Sequence, residues 1–111
     1  MTRRDISYTD IAPQDADAVD RLPGLALLDF GTDWCGHCTA ARPSVDAWLA
    51  DHADFQHLRI EDGRGRKLGR AHHVKLWPTL VLLRDGDEIA RVVRPREARD
   101  PWPLDDALKK Q

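Results

Sequence analysis

Two cysteines, Cys35 and Cys38, stand three residues apart in the run Trp34-Cys35-Gly36-His37-Cys38. A disulfide stabilises a chain mainly by closing a long loop, and this one would close almost none. The spacing suits a redox pair or part of a metal site better than a structural staple. Zinc needs three or four converging ligands. Cys35, His37 and Cys38 crowd one helical turn, which disfavours metal and leaves redox chemistry. In that chemistry one thiolate attacks a disulfide sulfur and a second thiol resolves the mixed disulfide.

Position divides the labour between the two sulfurs. An apolar run, Leu25-Ala26-Leu27-Leu28-Asp29-Phe30, ends just before the motif, and a helical pattern starts at it. A helix N-terminus presents unpaired N–H groups and about half a positive charge, which stabilise an anion. Cys35 is the sulfur that benefits, so its pKa is expected below the ~8.5 of a free thiol. Cys38, one turn further in, keeps its proton longer. His37 either directs a hydrogen bond or charge toward Cys35, favouring the dithiol and a more oxidising potential, or points at water.

Two further positions stand out. Asp29 interrupts an otherwise apolar strand, and burial of an unpaired carboxylate would raise its pKa. Such a group can take the Cys38 proton through a water; the alternative places it at the strand edge, solvated or bonded to backbone. Trp77-Pro78 precedes a second apolar run, Thr79 to Leu83. A strand tolerates proline at its first position, and the pattern alone leaves cis or trans open.

The elements that must position these groups follow from periodicity. The sequence predicts a weak edge strand at 6–8 and a helix opened by Pro13 and stopped at Pro23-Gly24. Leu25 to Phe30 reads as a strand buried on both faces. A helix from Cys35 to His52 carries Val45, Trp48 and Leu49 on one stripe, with Pro43 expected to kink it. Phe55 to Glu61 alternates as a strand, and a turn at 62–65 leads into a basic helix from Arg66 to about His73. After Thr79–Leu83, Asp85-Gly86 signals a tight hairpin with a return strand, Glu88 to Val93, in which Ile89 alternates with its neighbours. Leu104 to Lys110 forms a last helix preceded by Pro101 and Pro103. This order, β-α-β-α-β-α-β-β-α, predicts an α/β fold with a mixed sheet and helices on both faces. Trp48 is assigned to the core, Trp102 to the base of the last helix, and His72 and His73 to the surface or half-buried positions.

At 111 residues the chain fits one domain, 1–111. Its net charge of -2 offers no field for nucleic acid, and no window reaches the roughly 18 apolar residues of a membrane span. Arg3-Arg4 is followed by Asp5, Asp10, Asp15, Asp17 and Asp20, where an export signal needs an apolar stretch. The expected location is therefore the cytoplasm; the alternative is an exported chain whose leader was replaced by Met1. Arg59, Arg64, Arg66, Lys67, Arg70 and Lys75 cluster in sequence, as a solvated face or as a docking patch for an acidic protein. No G-x-G-x-x-G loop is present, so no nucleotide or flavin is expected and no cofactor is assigned.

Asp29-Phe30, the Cys-Gly-His-Cys run, Pro43, and Trp77-Pro78-Thr79 ahead of a strand and a Gly-turn hairpin together resemble the thioredoxin family over about residues 6 to 110. The resemblance implies a three-layer thioredoxin fold and a thiol–disulfide oxidoreductase that reduces protein disulfides. It makes Cys35 the nucleophile, Cys38 the resolving thiol, Asp29 the buried acid, and Cys35–Cys38 the redox-active disulfide. It also implies a cis Pro78 beside the sulfurs, with the backbone before it pairing with an extended substrate segment. Implied partners are disulfide-containing proteins and a thioredoxin reductase or another thiol reductant, with a monomer as default. The alternatives are an oxidant or isomerase using the same pair, or a non-catalytic adaptor on the same fold. Several residues depart from the family pattern. Gly36-His37 matches protein disulfide isomerases, Gly31-Thr32 replaces the usual Trp-Ala, and Trp77 replaces a smaller residue and could narrow the groove or offer an apolar anchor. Arg94-Pro95 replaces a Gly-containing segment, and His57 falls near the position of a Lys beside the buried acid.

Overall fold

The two apolar runs become the central strands of a four-stranded sheet in the computed structural model, which describes residues 19, 21–52, 55–63, 67–95 and 102–109. The strands are β1 (Leu25–Gly31), β2 (Gln56–Glu61), β3 (Thr79–Arg84) and β4 (Asp87–Val93), in the order β2-β1-β3-β4. β1 pairs parallel with β2 and antiparallel with β3, and β3 pairs antiparallel with β4. The sheet is mixed, as expected. Three helices complete the order: α1 (Gly36–Ala50), α2 (Lys67–Ala71) and α3 (Trp102–Lys109). The expected strand at 6–8 lies outside the described residues. So does the helix opened by Pro13, apart from Val19, which is helical and buried.

Successive strand side chains point to opposite faces, and the central strands are apolar on both. Leu27, Leu80 and Leu82 join Ala41, Val45 and Trp48 of α1 and Leu104 of α3 in one cluster. Leu28, Phe30, Val81 and Leu83 join Ile60, Val19 and Leu68 of α2 in a second. That is why β1 and β3 read as continuous runs rather than as alternating ones: helices cover both sides. Trp48 is in the core as assigned. Its indole Nε1 donates to Asp105 Oδ1 on α3 at 2.9 Å, and its ring stacks on His52 at 3.9 Å.

Several boundaries shift for physical reasons. α2 ends at Ala71, because His73 takes a left-handed conformation (φ 60) and Val74 N–H donates to Gly69 O at 2.8 Å, closing a Schellman turn. The last helix starts at Trp102, so Pro103 lies inside its first turn, where a missing N–H costs nothing. Asp85 (φ 51) and Gly86 (φ 89) make the expected tight hairpin, which Gly24 clasps through Asp85 N–H and carboxylate. β4 does not alternate cleanly. The register shifts between Leu82 and Leu83, a bulge that lets consecutive residues Ile89 and Ala90 both pack against the α1–α3 cluster.

Candidate active site

β1 delivers the chain to the end of the sheet, and α1 starts there. Cys35 is the N-cap of α1, with extended backbone (φ -81, ψ 122). Its Sγ accepts from the Cys38 backbone N–H at 3.3 Å. A cap of this kind is usually a Ser or Asp oxygen satisfying an orphan donor, and here a sulfur takes that place. No acidic residue lies in the first turn of α1 to oppose negative charge. Both cysteines carry thiols rather than a disulfide and are buried, Cys35 at 7% exposure and Cys38 at 3%. Gly36 and His37 are exposed. The His37 side chain has no hydrogen-bond partner among the described residues, and a Cβ at Gly36 would meet nothing within 4 Å.

Trp77 packs against the two sulfurs and is held from three sides. Its Nε1 donates to Asp62 Oδ2 at 2.8 Å, and Trp34, 76% exposed, meets its ring edge-on at 5.6 Å. Its carbonyl accepts from Arg94 Nε at 2.8 Å. The Trp77–Pro78 peptide is cis, the form the resemblance implies. Arg94 N–H donates to Pro78 O at 2.8 Å, extending the β3–β4 pairing by one bond. Arg94 therefore occupies a left-handed position (φ 54), a conformation that glycine takes more cheaply. Among the described residues the exposed large hydrophobics are Trp34, Leu76 and Val93. Trp34 and Leu76 adjoin Cys35 and Trp77 in sequence, and Val93 pairs with Thr79.

Asp29 lies 2% exposed on β1, in parallel register with Arg59 of β2. The expectation of an unpaired carboxylate is corrected here. Arg59 Nε donates to Asp29 Oδ2 at 3.2 Å, and Arg59 Nη2 donates to Asp46 Oδ1 on α1 at 3.0 Å. Arg59 is likewise not part of a solvated basic face; its side chain is 1% exposed. Burial opposes its charge, but the field of Asp29 and the hydrogen bonds it donates to Asp46 and Asp29 outweigh that and raise its pKa above the ordinary value. His57 is in register with Leu27, so the cation level with the acid is Arg59. The sequence carried one signal for this pair: Asp29 and Arg59 are each a charged residue between two apolar ones, Leu28 and Phe30 or Leu58 and Ile60.

A helix-capping thiol, a second buried thiol and a cis proline thus gather at one end of the sheet. The thioredoxin family profile matches residues 15–102. The chain belongs to the thioredoxin family. Thioredoxin from Chlamydia pneumoniae is 36% identical across 63% of this chain and 69% of its own length. Among solved structures, thioredoxin 2 from Pseudomonas aeruginosa PAO1 in its reduced form aligns with a TM-score of 0.78 at 50% identity. The match covers 96% of this chain and 95% of that one. A mutant thioredoxin from Halobacterium salinarum NRC-1 aligns with a TM-score of 0.64 at 32% identity, over 94% and 84% of the two chains. The fold is the thioredoxin fold, and the chain is a thiol–disulfide oxidoreductase by family. No helix among the described residues is long and apolar enough to cross a membrane.

Proposed function

We propose that this thioredoxin-family chain reduces protein disulfides in the cytoplasm. The Cys35 thiolate attacks one sulfur of the substrate disulfide, forming a mixed disulfide and releasing the other substrate sulfur as a thiolate. Cys38 then loses its proton toward the Asp29 carboxylate, through a water, and attacks Cys35 Sγ. The Cys35–Cys38 disulfide forms and the second substrate thiol leaves, so two electrons pass to the substrate. A thioredoxin reductase or another thiol reductant returns the pair to the dithiol. Trp77 and Pro78 form the wall against which the substrate segment lies, Trp34 supplies an exposed apolar face, and Gly36 leaves the approach to Cys35 open.

The single observation that carries this reading is the Cys38 N–H donating to Cys35 Sγ at 3.3 Å. The thiolate is the attacking species in disulfide exchange, and this bond sets the Cys35 sulfur against the unpaired N–H groups of the first turn of α1. The test is insulin-disulfide reduction by the wild type and by Cys35→Ser. Turnover should be abolished in the variant, and equal, negligible turnover in both would support an adaptor instead. Redox titration against glutathione fixes direction: a potential in the isomerase range would favour an oxidant or isomerase, with His37 as the tuning group.

A further inference from the structure

We infer that a cleft beside Trp77 recognises a carboxylate side chain flanking the cysteine of the substrate disulfide, so that acidic segments are the preferred substrates. This rests on the disulfide-reductase reading and names its substrate class. The cleft, of about 250 Å³, is lined by Asp62, Gly63, Arg70, Val74, Lys75 and Trp77. One of its walls is Trp77, the residue that packs against Cys35 and Cys38, so the cleft and the sulfurs share one side chain.

The charges within it are unevenly used. Asp62 accepts the Trp77 indole N–H at 2.8 Å, and its carboxylate fits so closely against Gly69 that a Cβ there would collide with it. Asp62 is thus committed to orienting Trp77. Arg70 and Lys75 are exposed, and neither forms an ion pair among the described residues. Two cations face one already engaged carboxylate, in a protein whose net charge is -2. This local reversal of sign favours an acidic group and repels a basic one. The apolar ring of Trp77 supplies a surface for the stem of a Glu side chain. Arg70 and Lys75 lie on the Schellman turn and the segment after it, held by Val74 N–H to Gly69 O, so both are carried by ordered backbone.

The experiment compares three cyclic disulfide peptides that differ at one position, two residues beyond the attacked cysteine: Glu, Gln or Lys. Hydroxyethyl disulfide serves as a small neutral substrate. For the wild type at low salt, kcat/KM should fall in the order Glu, Gln, Lys, with about tenfold between the extremes. The ratio should shrink toward one at 0.5 M NaCl, where exposed charges are screened, and in the Arg70→Ala/Lys75→Ala double variant. It should invert in Arg70→Glu/Lys75→Glu. Asp62→Asn, which keeps an acceptor for Trp77 and removes the opposing charge, should widen it. Hydroxyethyl disulfide should be reduced equally by wild type and the Arg70/Lys75 variants. Equal rates on all three peptides with normal reduction of hydroxyethyl disulfide overturn the inference and leave the reductase reading standing. Failure to reduce insulin and all three peptides overturns that reading, and the inference falls with it.

Discussion

Replacing Arg59 by Met tests the buried pair under the active site most directly. Arg59 and Asp29 have side chains 1% and 3% exposed, joined at 3.2 Å, while the second acid, Asp46, is 36% exposed. Arg59→Met leaves Asp46 free to return to solvent but takes the buried cation away from the buried Asp29. Removing one partner of a buried pair costs about 3–5 kcal/mol, a large share of the roughly 5–15 kcal/mol that holds a domain together. At about 4 °C per kcal/mol for a chain of this length, the melting temperature should drop by roughly 12–20 °C. The sign of the pH dependence follows from linkage. In the variant, burial favours the neutral carboxyl, so the folded state binds a proton that the unfolded chain does not. Variant stability then rises as pH falls, and its deficit against the wild type should narrow between pH 8 and pH 5. Asp29→Leu/Arg59→Met, which removes both charges, should recover most of the loss. Urea unfolding of the three proteins at both pH values reads all of this. A single-variant loss below about 1 kcal/mol at pH 8, or a deficit unchanged at pH 5, would refute the account of Asp29 as a charge held by Arg59.

Other consequences are simpler to check. Arg94→Gly relieves a left-handed backbone (φ 54) while losing the bond to Trp77 O, whereas Arg94→Ala loses the bond and keeps the strain. Urea midpoints should place the Gly variant about 1 kcal/mol above the Ala variant. Trp48→Phe removes the 2.9 Å bond to Asp105; it should cost about 1–2 kcal/mol and speed amide exchange in α3. The hydrogen bond from Arg91 holds the Glu88 carboxyl below its ordinary pKa. Its contribution is therefore present above pH 4.5 and lost as pH falls through the folded value. Because the pair is partly exposed, Glu88→Gln should cost no more than about 0.5 kcal/mol at pH 7, measured by thermal melting.

What the sequence determined by itself is local. The Cys35–Cys38 spacing at a strand-to-helix junction, the two apolar strands and the Asp85-Gly86 hairpin are each decided within a few residues, by helix-end geometry, strand period and turn conformation. The strand–helix order then implied a mixed sheet covered on both faces. The partner of Asp29 was not legible in this way. Arg59 lies thirty residues on in sequence, and only the parallel register of β1 and β2 sets it level with the acid and within reach of Asp46. The same holds for Arg94 reaching the Trp77 carbonyl, for Asp62 orienting the indole, and for the bulge that breaks the alternation of β4. Periodicity can show that a charged residue sits in a buried strand, but which charge meets it depends on strand register and helix docking. Tertiary packing decides those, because a buried charge is tolerated only where the assembled fold brings its partner within reach.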